Sequence, residues 1–305
     1  MEFFKQSTHI DFMAQRKIAA IISTLLFILS IISLCLYGLN FGLDFKGGTQ
    51  IQMSFPAEAN LNQIRNSLQS GGFKEAEVKS FGTSRDVLVT LSVSNESEKD
   101  ALLKHVQSIL PDAKIQQIDY IGPQVGQELA TKGALAIVVA LLGTMIYIAF
   151  RFEFRFAIGS TIALIHDPIL ILGIFSFFQI EFNLIALAAV LTVIGYSLND
   201  TIVIFDRVRE NFRKLRKASP LEVINESINQ TLSRTIMTSV LTLIVVLALF
   251  FLGGSMLYGF SLALIIGIVV GTYSSIYVAG SLSLALGLTR QHLLPVAKEV
   301  LDDRP

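Results

Sequence analysis

An acidic residue, Asp200, lies inside an apolar helical segment of this chain. The surrounding string VIGYSLNDTIVIFDRVREN, residues 193–211, begins as apolar sequence and ends in a basic cluster. An ionisable side chain costs roughly 2.5–3.5 kcal/mol at the centre of an inserted helix and less near its ends, so such residues usually mark proton or ion pathways. Asn199 and Thr201 are candidate supporting groups for a proton relay. The alternative is that they form a polar packing contact between helices together with Asp200.

Arg234 is the candidate counter-charge for Asp200. By hydropathy it lies at the start of the fifth apolar segment, at a depth comparable with that of Asp200. If the two helices are neighbours, the guanidinium would favour the ionised carboxylate, and its withdrawal would favour protonation. The two residues would then form a protonation switch. The alternative is that Arg234 is one more basic residue at a helix end.

His166 and Asp167 form a second polar group, near the middle of the third apolar segment and directly before Pro168. Proline removes a helical hydrogen bond and can open the helix locally. Consecutive residues point about 100° apart on a helix, so only one of the two is expected to face the helix of Asp200. A proton relay and a structural hydrogen bond between helices both remain open for this pair.

The composition is that of an integral membrane protein. Of the 305 residues, 52% are hydrophobic and 16% are charged, and the mean hydropathy is +0.61, which lies outside the usual range of soluble domains. No basic stripe suggests nucleic-acid binding. The four histidines, at positions 9, 105, 166 and 292, have no ligand spacing, so neither a metal nor another cofactor is expected. Without paired catalytic aspartates or an HExxH motif, the sequence disfavours an intramembrane protease, and no enzyme activity is expected.

Six apolar segments are long enough to cross about 30 Å of hydrocarbon as helices. They cover 18–39, 133–150, 157–178, 184–205, 236–253 and 259–287, the last five falling within 133–287. Lysines and arginines cluster on one side of these segments, whereas the short connections 179–183 and 254–258 contain none. The positive-inside rule therefore predicts that residues 1–17 and the tail 288–305 are cytoplasmic and that residues 40–132 are external.

The external segment is predicted to form a small α+β domain that binds its partner by a face or an edge. Its periodicity gives the order β-α-β-β-α-β, which is that of a ferredoxin-like fold. The predicted elements are 49–55, 61–69, 77–81, 87–93, 97–110 and 115–121, with Ser97 as the N-cap of the second helix. Asp44, Gly47 and Gly48 belong to the string DFKGG that precedes the domain. Glycine pairs permit unusual backbone angles, so this string is either a fixed turn or a hinge.

Several strings in this chain resemble the SecF proteins of the SecD/SecF family, which lies within the resistance-nodulation-division superfamily. They are LNFGLDFKGGTQIQMSF at 39–55, HD at 166–167, EFNL at 181–184, GYSLNDTIVIFDRVREN at 195–211 and SRT at 233–235. They occur in order over nearly the whole chain, and the fourth is very specific.

The resemblance implies a multi-pass protein of the bacterial inner membrane that forms a complex with a SecD-like subunit. It also implies that the SecYEG channel, YajC- or YidC-like proteins and an unfolded preprotein are further partners. Such a complex uses the proton-motive force to promote export after the ATP-driven step, with protons as the coupling ion and no other cofactor. The resemblance assigns proton transport to the residues at Asp200 and Arg234. Two alternatives remain: half of a proton-coupled transporter of small solutes, and a structural subunit that conducts no protons.

Overall fold

The structure, a computed structural model, describes residues 8–92 and 99–289. Within these residues, six helices are long and apolar enough to cross a membrane, which confirms the predicted number of spans. The helices are α1 (Arg16–Tyr37), α2 (Leu43–Lys46), α3 (Leu61–Ser70), α4 (Lys99–Ile109), α5 (Pro123–Arg151), α6 (Phe154–Phe177), α7 (Leu184–Lys214), α8 (Pro220–Leu252), α9 (Gly254–Tyr273) and α10 (Gly280–Ala285). The strands are β1 (Asn40–Phe41), β2 (Gly48–Ser54), β3 (Glu77–Phe81), β4 (Thr83–Leu91), β5 (Lys114–Ile121) and β6 (Glu181–Phe182). A π-helical segment, Ser274–Ala279, joins α9 to α10.

Three spanning helices extend well beyond their apolar segments. Helix α5 begins at Pro123 rather than 133, α7 continues to Lys214, and α8 begins at Pro220 rather than 236. The start of α8 is set by a capping box, in which Ser219 Oγ accepts from the Glu222 amide at 3.3 Å and Glu222 Oε2 accepts from the Ser219 amide at 2.7 Å. Hydropathy detects only the apolar part of a helix. It misses these additional helical turns because their backbone hydrogen bonds and caps form with polar side chains as well.

The α+β domain has the predicted ferredoxin-like fold. Its antiparallel sheet has the strand order β3-β4-β2-β5, with α3 and α4 as the two helices of the β-α-β-β-α-β unit. The fully buried side chains of Ile51, Met53, Leu68 and Val89 form its core. The predicted N-cap of the second helix, Ser97, lies outside the described residues.

The segments that enter and leave this domain pack against each other. Gly47 and Gly48 have φ angles of +73° and +136°, which favour glycine. A Cβ at Gly47 would lie 2.9 Å from the Cα of Pro123, and one at Gly126 would lie 2.8 Å from the carbonyl oxygen of Phe45. The DFKGG string at 44–48, which could be a fixed turn or a hinge and is called the hinge string below, therefore forms one tight joint with the first turns of α5.

Close contacts between helices depend on small residues in the bundle. A Cβ at Gly173 of α6 would lie 2.2 Å from the Cβ of Ser30 on α1. A Cβ at Gly267 of α9 would lie 2.1 Å from a methyl carbon of Val193 on α7. Interior packing leaves no room for such atoms. Glycine at these two positions therefore allows α1 to pack closely against α6, and α9 against α7.

Candidate functional site

Asp200 lies in the interior of the bundle on α7. Only 3% of the residue is exposed, and its Oδ2 atom is buried without a hydrogen-bond partner in the described part of the chain. Buried polar atoms are nearly always paired, so an exception calls for an explanation beyond packing. A carboxyl group with one unused oxygen can take up a proton there without breaking a protein hydrogen bond at that atom.

Arg234 on α8 acts on Asp200 electrostatically. Counted at 1.5 Å per residue from the ends of their helices next to the α+β domain, Asp200 lies about 24 Å down α7 and Arg234 about 27 Å down α8. Among the described residues, no ion pair of 4 Å or less joins the two side chains. Arg234 is exposed at the bundle surface, whereas the hydroxyl of its neighbour Thr235 is buried and unpartnered in the described structure. The guanidinium thus interacts with the carboxylate at long range without neutralising it by contact.

Asp167 occupies a different environment, in which both carboxylate oxygens are bonded. Its residue exposure is 0%. Oδ2 accepts hydrogen bonds from Ser197 Oγ on α7 at 2.6 Å and from Ser274 Oγ at 2.8 Å. Oδ1 lies 3.0 Å from His166 Nδ1, and His166 Nε2 lies 2.7 Å from Ser23 Oγ on α1. The prediction that one member of the His166–Asp167 pair faces the helix of Asp200 agrees with this geometry, since Asp167 bonds to α7. The two side chains also bond to each other although they are consecutive.

Thr201 and the π-helical segment extend this polar network. Thr201 Oγ1 donates to the Ser197 carbonyl at 3.1 Å and lies 2.9 Å from Ser275 Oγ. Ser274 and Ser275 are consecutive, yet both are buried and bond inward, which the wider turn of a π-helix helps to permit. Asn199, by contrast, is exposed on the other side of α7. The two predicted supporting residues therefore point in different directions.

The serines of this polar network were not predicted from the sequence. Ser197 and Thr201 lie four residues apart on α7, and Ser274 and Ser275 interrupt an apolar run. Their positions in the sequence were the signal that could have indicated a polar network. Serine in a helix often bonds its own backbone, however, so these positions alone do not show which side chain a serine bonds.

Asp44 of the hinge string connects the α+β side of the molecule to α7. Its Oδ2 accepts a hydrogen bond from the Leu184 amide at 2.8 Å, at the first turn of the helix that carries Asp200. In addition, β1 pairs in parallel with β6, placing Asn40 opposite Glu181 and Phe41 opposite Phe182. The segment that leads into the domain is thereby fixed to the start of α7.

A second connection runs from the domain itself. Lys79 on the edge strand β3 forms ion pairs with Glu181, in the link between α6 and α7, and with Glu77 at 2.7 Å. Burial alone would lower the pKa of Lys79, but hydrogen bonds and charge from Glu181 and Glu77 outweigh it and raise the pKa above its usual 10.5. Lys79 is therefore charged at neutral pH and holds the domain edge against the membrane bundle.

In the described residues, no group of three or more histidine, cysteine, aspartate or glutamate side chains could hold a metal ion. The titratable groups in the bundle interior are instead Asp200, Asp167 and His166. Of these, Asp200 alone has a buried side-chain oxygen without a partner in this part of the chain.

Two family models match the chain. The model described as "Protein export membrane protein SecD/SecF, C-terminal" matches residues 101–289, and the "SecD/SecF GG Motif" matches residues 32–55. The first match contains His166, Asp167, Asp200 and Arg234, and the second contains the hinge string.

Relatives with the name "Protein translocase subunit SecF" match over nearly their whole length. The protein from Pseudomonas aeruginosa is 48% identical, with 97% of this chain and 98% of the relative covered. The protein from Vibrio alginolyticus is also 48% identical, with 96% and 95% covered. The protein from Escherichia coli O157:H7 is 45% identical, with 96% and 93% covered.

Two crystal structures of SecDF have the same fold. SecDF from Thermus thermophilus, described as a translocon-associated membrane protein, matches with a TM-score of 0.83 and 37% identity. SecDF in a "Super-membrane-facing form" matches with a TM-score of 0.72 at the same identity. Each match covers 93% of this chain but only 39% of the SecDF chain.

Proposed function

The chain belongs to the SecD/SecF family of protein export membrane proteins, as a SecF-type subunit of the Sec export machinery, and we propose that proton passage at Asp200 and Arg234 drives movement of its α+β domain. The observation that carries this proposal is the buried, unpartnered Oδ2 of Asp200 beside a guanidinium that does not contact it. A movement of α8 relative to α7 would change the distance between these two charges. Since an opposite charge stabilises the carboxylate and its removal favours protonation, that movement would couple proton uptake to helix position.

The contacts at the domain end of α7 offer a route from the carboxyl group to the domain. Asp44 bonds the first turn of α7, β1 pairs with β6, and Lys79 reaches Glu181 from the domain edge. A shift of α7 would therefore strain or relax three connections to the α+β domain. The two SecDF crystal structures match this chain with different TM-scores, 0.83 and 0.72, at equal coverage. This difference supports a fold that can adopt more than one arrangement.

The energy available from one proton is sufficient for such a movement. One elementary charge crossing 100 mV releases about 2.3 kcal/mol. That amount biases a two-state equilibrium by up to about fiftyfold. We take protons as the sole coupling ion and propose no cofactor.

The proposed partners follow from the family and from the length of the matched structures. Because the chain corresponds to 39% of SecDF, a SecD-like subunit would supply the remainder of the complex. The SecYEG channel, YajC- or YidC-like proteins and an unfolded preprotein would be its further partners. Copurification of a SecD-like protein with the full chain tests the first of these.

We propose that the complex lies in the bacterial inner membrane with both chain termini in the cytoplasm. Arg16, Lys17, Arg151 and Arg155 lie at the ends of their helices opposite the α+β domain. The positive-inside rule then assigns the domain to the outer side, where a preprotein leaves the channel.

The replacement Asp200→Asn tests the proton step because it keeps the size of the side chain but cannot titrate. In reconstituted vesicles, it should abolish the part of preprotein export that depends on the proton-motive force, while the complex still assembles. The matched control is Asp206→Asn, since Asp206 lies on the same helix but is 42% exposed in its side chain and paired with Arg151 at 2.9 Å. Normal proton-dependent export by an assembled Asp200→Asn complex would instead support a structural subunit that conducts no protons.

A further inference from the structure

A groove of about 500 Å³ lies between α1, α6 and the end of the bundle formed by the π-helical segment and α10. It is separate from the Asp200 site. Its lining includes Ala20, Phe27, Ile162, Ile165 and Val278. These side chains are apolar, and neighbouring α1 residues such as Ile21 and Leu25 are 69% and 56% exposed on the outer surface of the bundle. The groove therefore belongs to the hydrocarbon-facing part of the molecule.

The length of the groove corresponds to one leaflet of a bilayer. It extends along α1 from Arg16 to Phe27. At 1.5 Å per residue, this is about 17 Å, close to half of the roughly 30 Å hydrocarbon thickness. An acyl chain that enters at the end of the bundle opposite the α+β domain would thus reach the middle of the bilayer.

Two basic side chains lie at the end of the groove that is opposite the α+β domain. Arg16 and Lys17 line it, and in the described part of the chain neither forms an ion pair of 4 Å or less. Arg16 Nη1 donates to the Met13 carbonyl at 3.0 Å, which leaves the other guanidinium donors available. Within residues 8–92 and 99–289, a lipid phosphate at this level would find two positive charges that no ion pair compensates.

Polar groups continue below the basic pair. Ser281 lines the groove, and its Oγ is buried without a hydrogen-bond partner in the described structure. Ser281 lies about 6 Å from the end of α10 at 1.5 Å per residue, where the glycerol ester carbonyls of a lipid would follow the phosphate. Deeper in the groove, His166 and Ser23 bond to each other.

We propose that this groove binds a single phospholipid with an anionic headgroup. The phosphate pairs with Arg16 and Lys17, and one acyl chain lies along Ala20 and Phe27. Ser281, whose Oγ is buried in the structure, donates to an ester carbonyl once its side chain turns toward the groove. Charge complementarity selects an anionic over a zwitterionic headgroup. The bound lipid contacts His166 and so lies against the network centred on Asp167.

The absence of tryptophan from the sequence permits a specific fluorescence test. Phe27→Trp places a single reporter in the groove, and Ile22→Trp places one on the exposed face of α1, where Ile22 is 47% exposed and does not line the groove. The full chain by itself, in which the introduced tryptophan is the single one, is reconstituted in vesicles that contain dibrominated phosphatidylglycerol or dibrominated phosphatidylcholine. Bromine quenches tryptophan only on close approach, so the quenching curves give relative affinities.

We expect the reporter at position 27 to prefer phosphatidylglycerol by about tenfold and the reporter at position 22 to show no comparable preference. Arg16→Gln combined with Lys17→Gln should remove the preference at position 27. Arg213→Gln, an exposed basic residue at the same end of the bundle, should leave it unchanged.

Three results would overturn the proposal. Equal quenching by both lipids at position 27 would reduce the groove to ordinary annular lipid contact. The lack of quenching by either lipid would mean that protein fills the groove. A preference that survives the loss of Arg16 and Lys17 would remove the assigned headgroup site.

Discussion

At the scale of single residues, two buried carboxyl groups in one bundle differ in how their oxygens are bonded. Asp167 is bonded at both oxygens by donors from three segments of the chain. Asp200 keeps a buried oxygen without a partner in the described structure. A fully bonded carboxylate rigidifies the helices that supply its donors, whereas a carboxyl group with an unbonded oxygen can take up a proton there without losing a hydrogen bond. This contrast leads us to interpret Asp167 as structural and Asp200 as the proton carrier.

Replacements at Asp167 should separate hydrogen bonding from charge. In Asp167→Asn, the amide oxygen can still accept from Ser197 and Ser274, and the amide nitrogen can donate to His166 if the imidazole adopts its other tautomer. The free energy of unfolding should therefore fall by no more than about 1 kcal/mol, and proton-dependent export should persist. Asp167→Leu removes the acceptor of three side chains. Ser274 can still donate to the Gly271 carbonyl, but Ser197 Oγ and His166 Nδ1 lose their partner, which should cost about 3 kcal/mol. Unfolding in mixed detergent micelles measures both changes.

Loss of export by a stable Asp167→Asn protein would contradict the structural interpretation and favour a relay. Asp206→Leu is the matched control for the second replacement. Since Asp206 is exposed and forms a surface ion pair, its loss should cost less than about 1 kcal/mol.

At the scale of elements, α7 is the helix that joins the buried carboxyl groups, the neighbouring helix α9 and the segment that leads into the α+β domain. It carries Asp200, supplies Ser197 to Asp167, and packs at Val193 against Gly267 of α9. Its first turn is capped by Asn183, whose Oδ1 accepts from the Ala186 amide at 2.9 Å, and by Asp44 from a distant part of the chain. A helix that is anchored at one end and carries a titratable group at its middle, as α7 (Leu184–Lys214) does at Asp200, is suited to transmit a displacement along its axis.

The cap supplied by Asp44 can be tested by itself. Asp44→Ala removes the acceptor for the Leu184 amide, and loss of an N-terminal cap typically costs about 1 kcal/mol. Hydrogen exchange of the first-turn amides of α7 should then become about fivefold faster. Asp44→Asn keeps an acceptor oxygen and should change the exchange rate by less than about twofold. Exchange in Asp44→Ala at the rate of the unmodified chain would mean that Asp44 does not hold this turn.

The elements differ in how far the sequence predicts them. The spans and the strands of the α+β domain depend on local periodicity, and their number and order were predicted correctly. The capping box at Ser219 is also local, and it could have placed the start of α8. The pairing of β1 with β6 joins Asn40 to Glu181, which are far apart in sequence and form a two-residue ladder. So short a ladder has no periodicity to detect, and neither does the hydrogen bond that Asp44 accepts from the Leu184 amide of α7.

Asp200 was recognisable from the sequence because a charge in an apolar helix is costly wherever its partners lie. Its surroundings were not recognisable, because they depend on how helices pack. Neither the distance from Arg234 nor the outward direction of Asn199 follows from spacing along the chain.

At the scale of the whole molecule, the Asp200 site lies deep in the helix bundle, whereas the α+β domain lies at one end of that bundle. The proposed proton carrier is about 24 Å along α7 from the helix end that faces the domain. A displacement of α7 can reach the domain through the link between α6 and α7, where β6 meets β1 and where Lys79 reaches Glu181. If the domain moves relative to the bundle during export, this contact has to open and close.

A reversible cross-link at that contact tests whether domain movement is required. In a Cys35→Ser background, which removes the single free thiol, Lys79→Cys and Glu181→Cys are joined by a reducible bifunctional thiol reagent. The matched control joins Gln50→Cys to Thr90→Cys, which face each other on adjacent strands of the same domain. We expect the first cross-link to stop proton-dependent export of a preprotein and reduction to restore it, because the domain can no longer separate from the link before α7. The control cross-link should leave export unchanged, since it joins residues that move together. Equal export with both cross-links would contradict the proposed domain movement, even if Asp200 carries the proton.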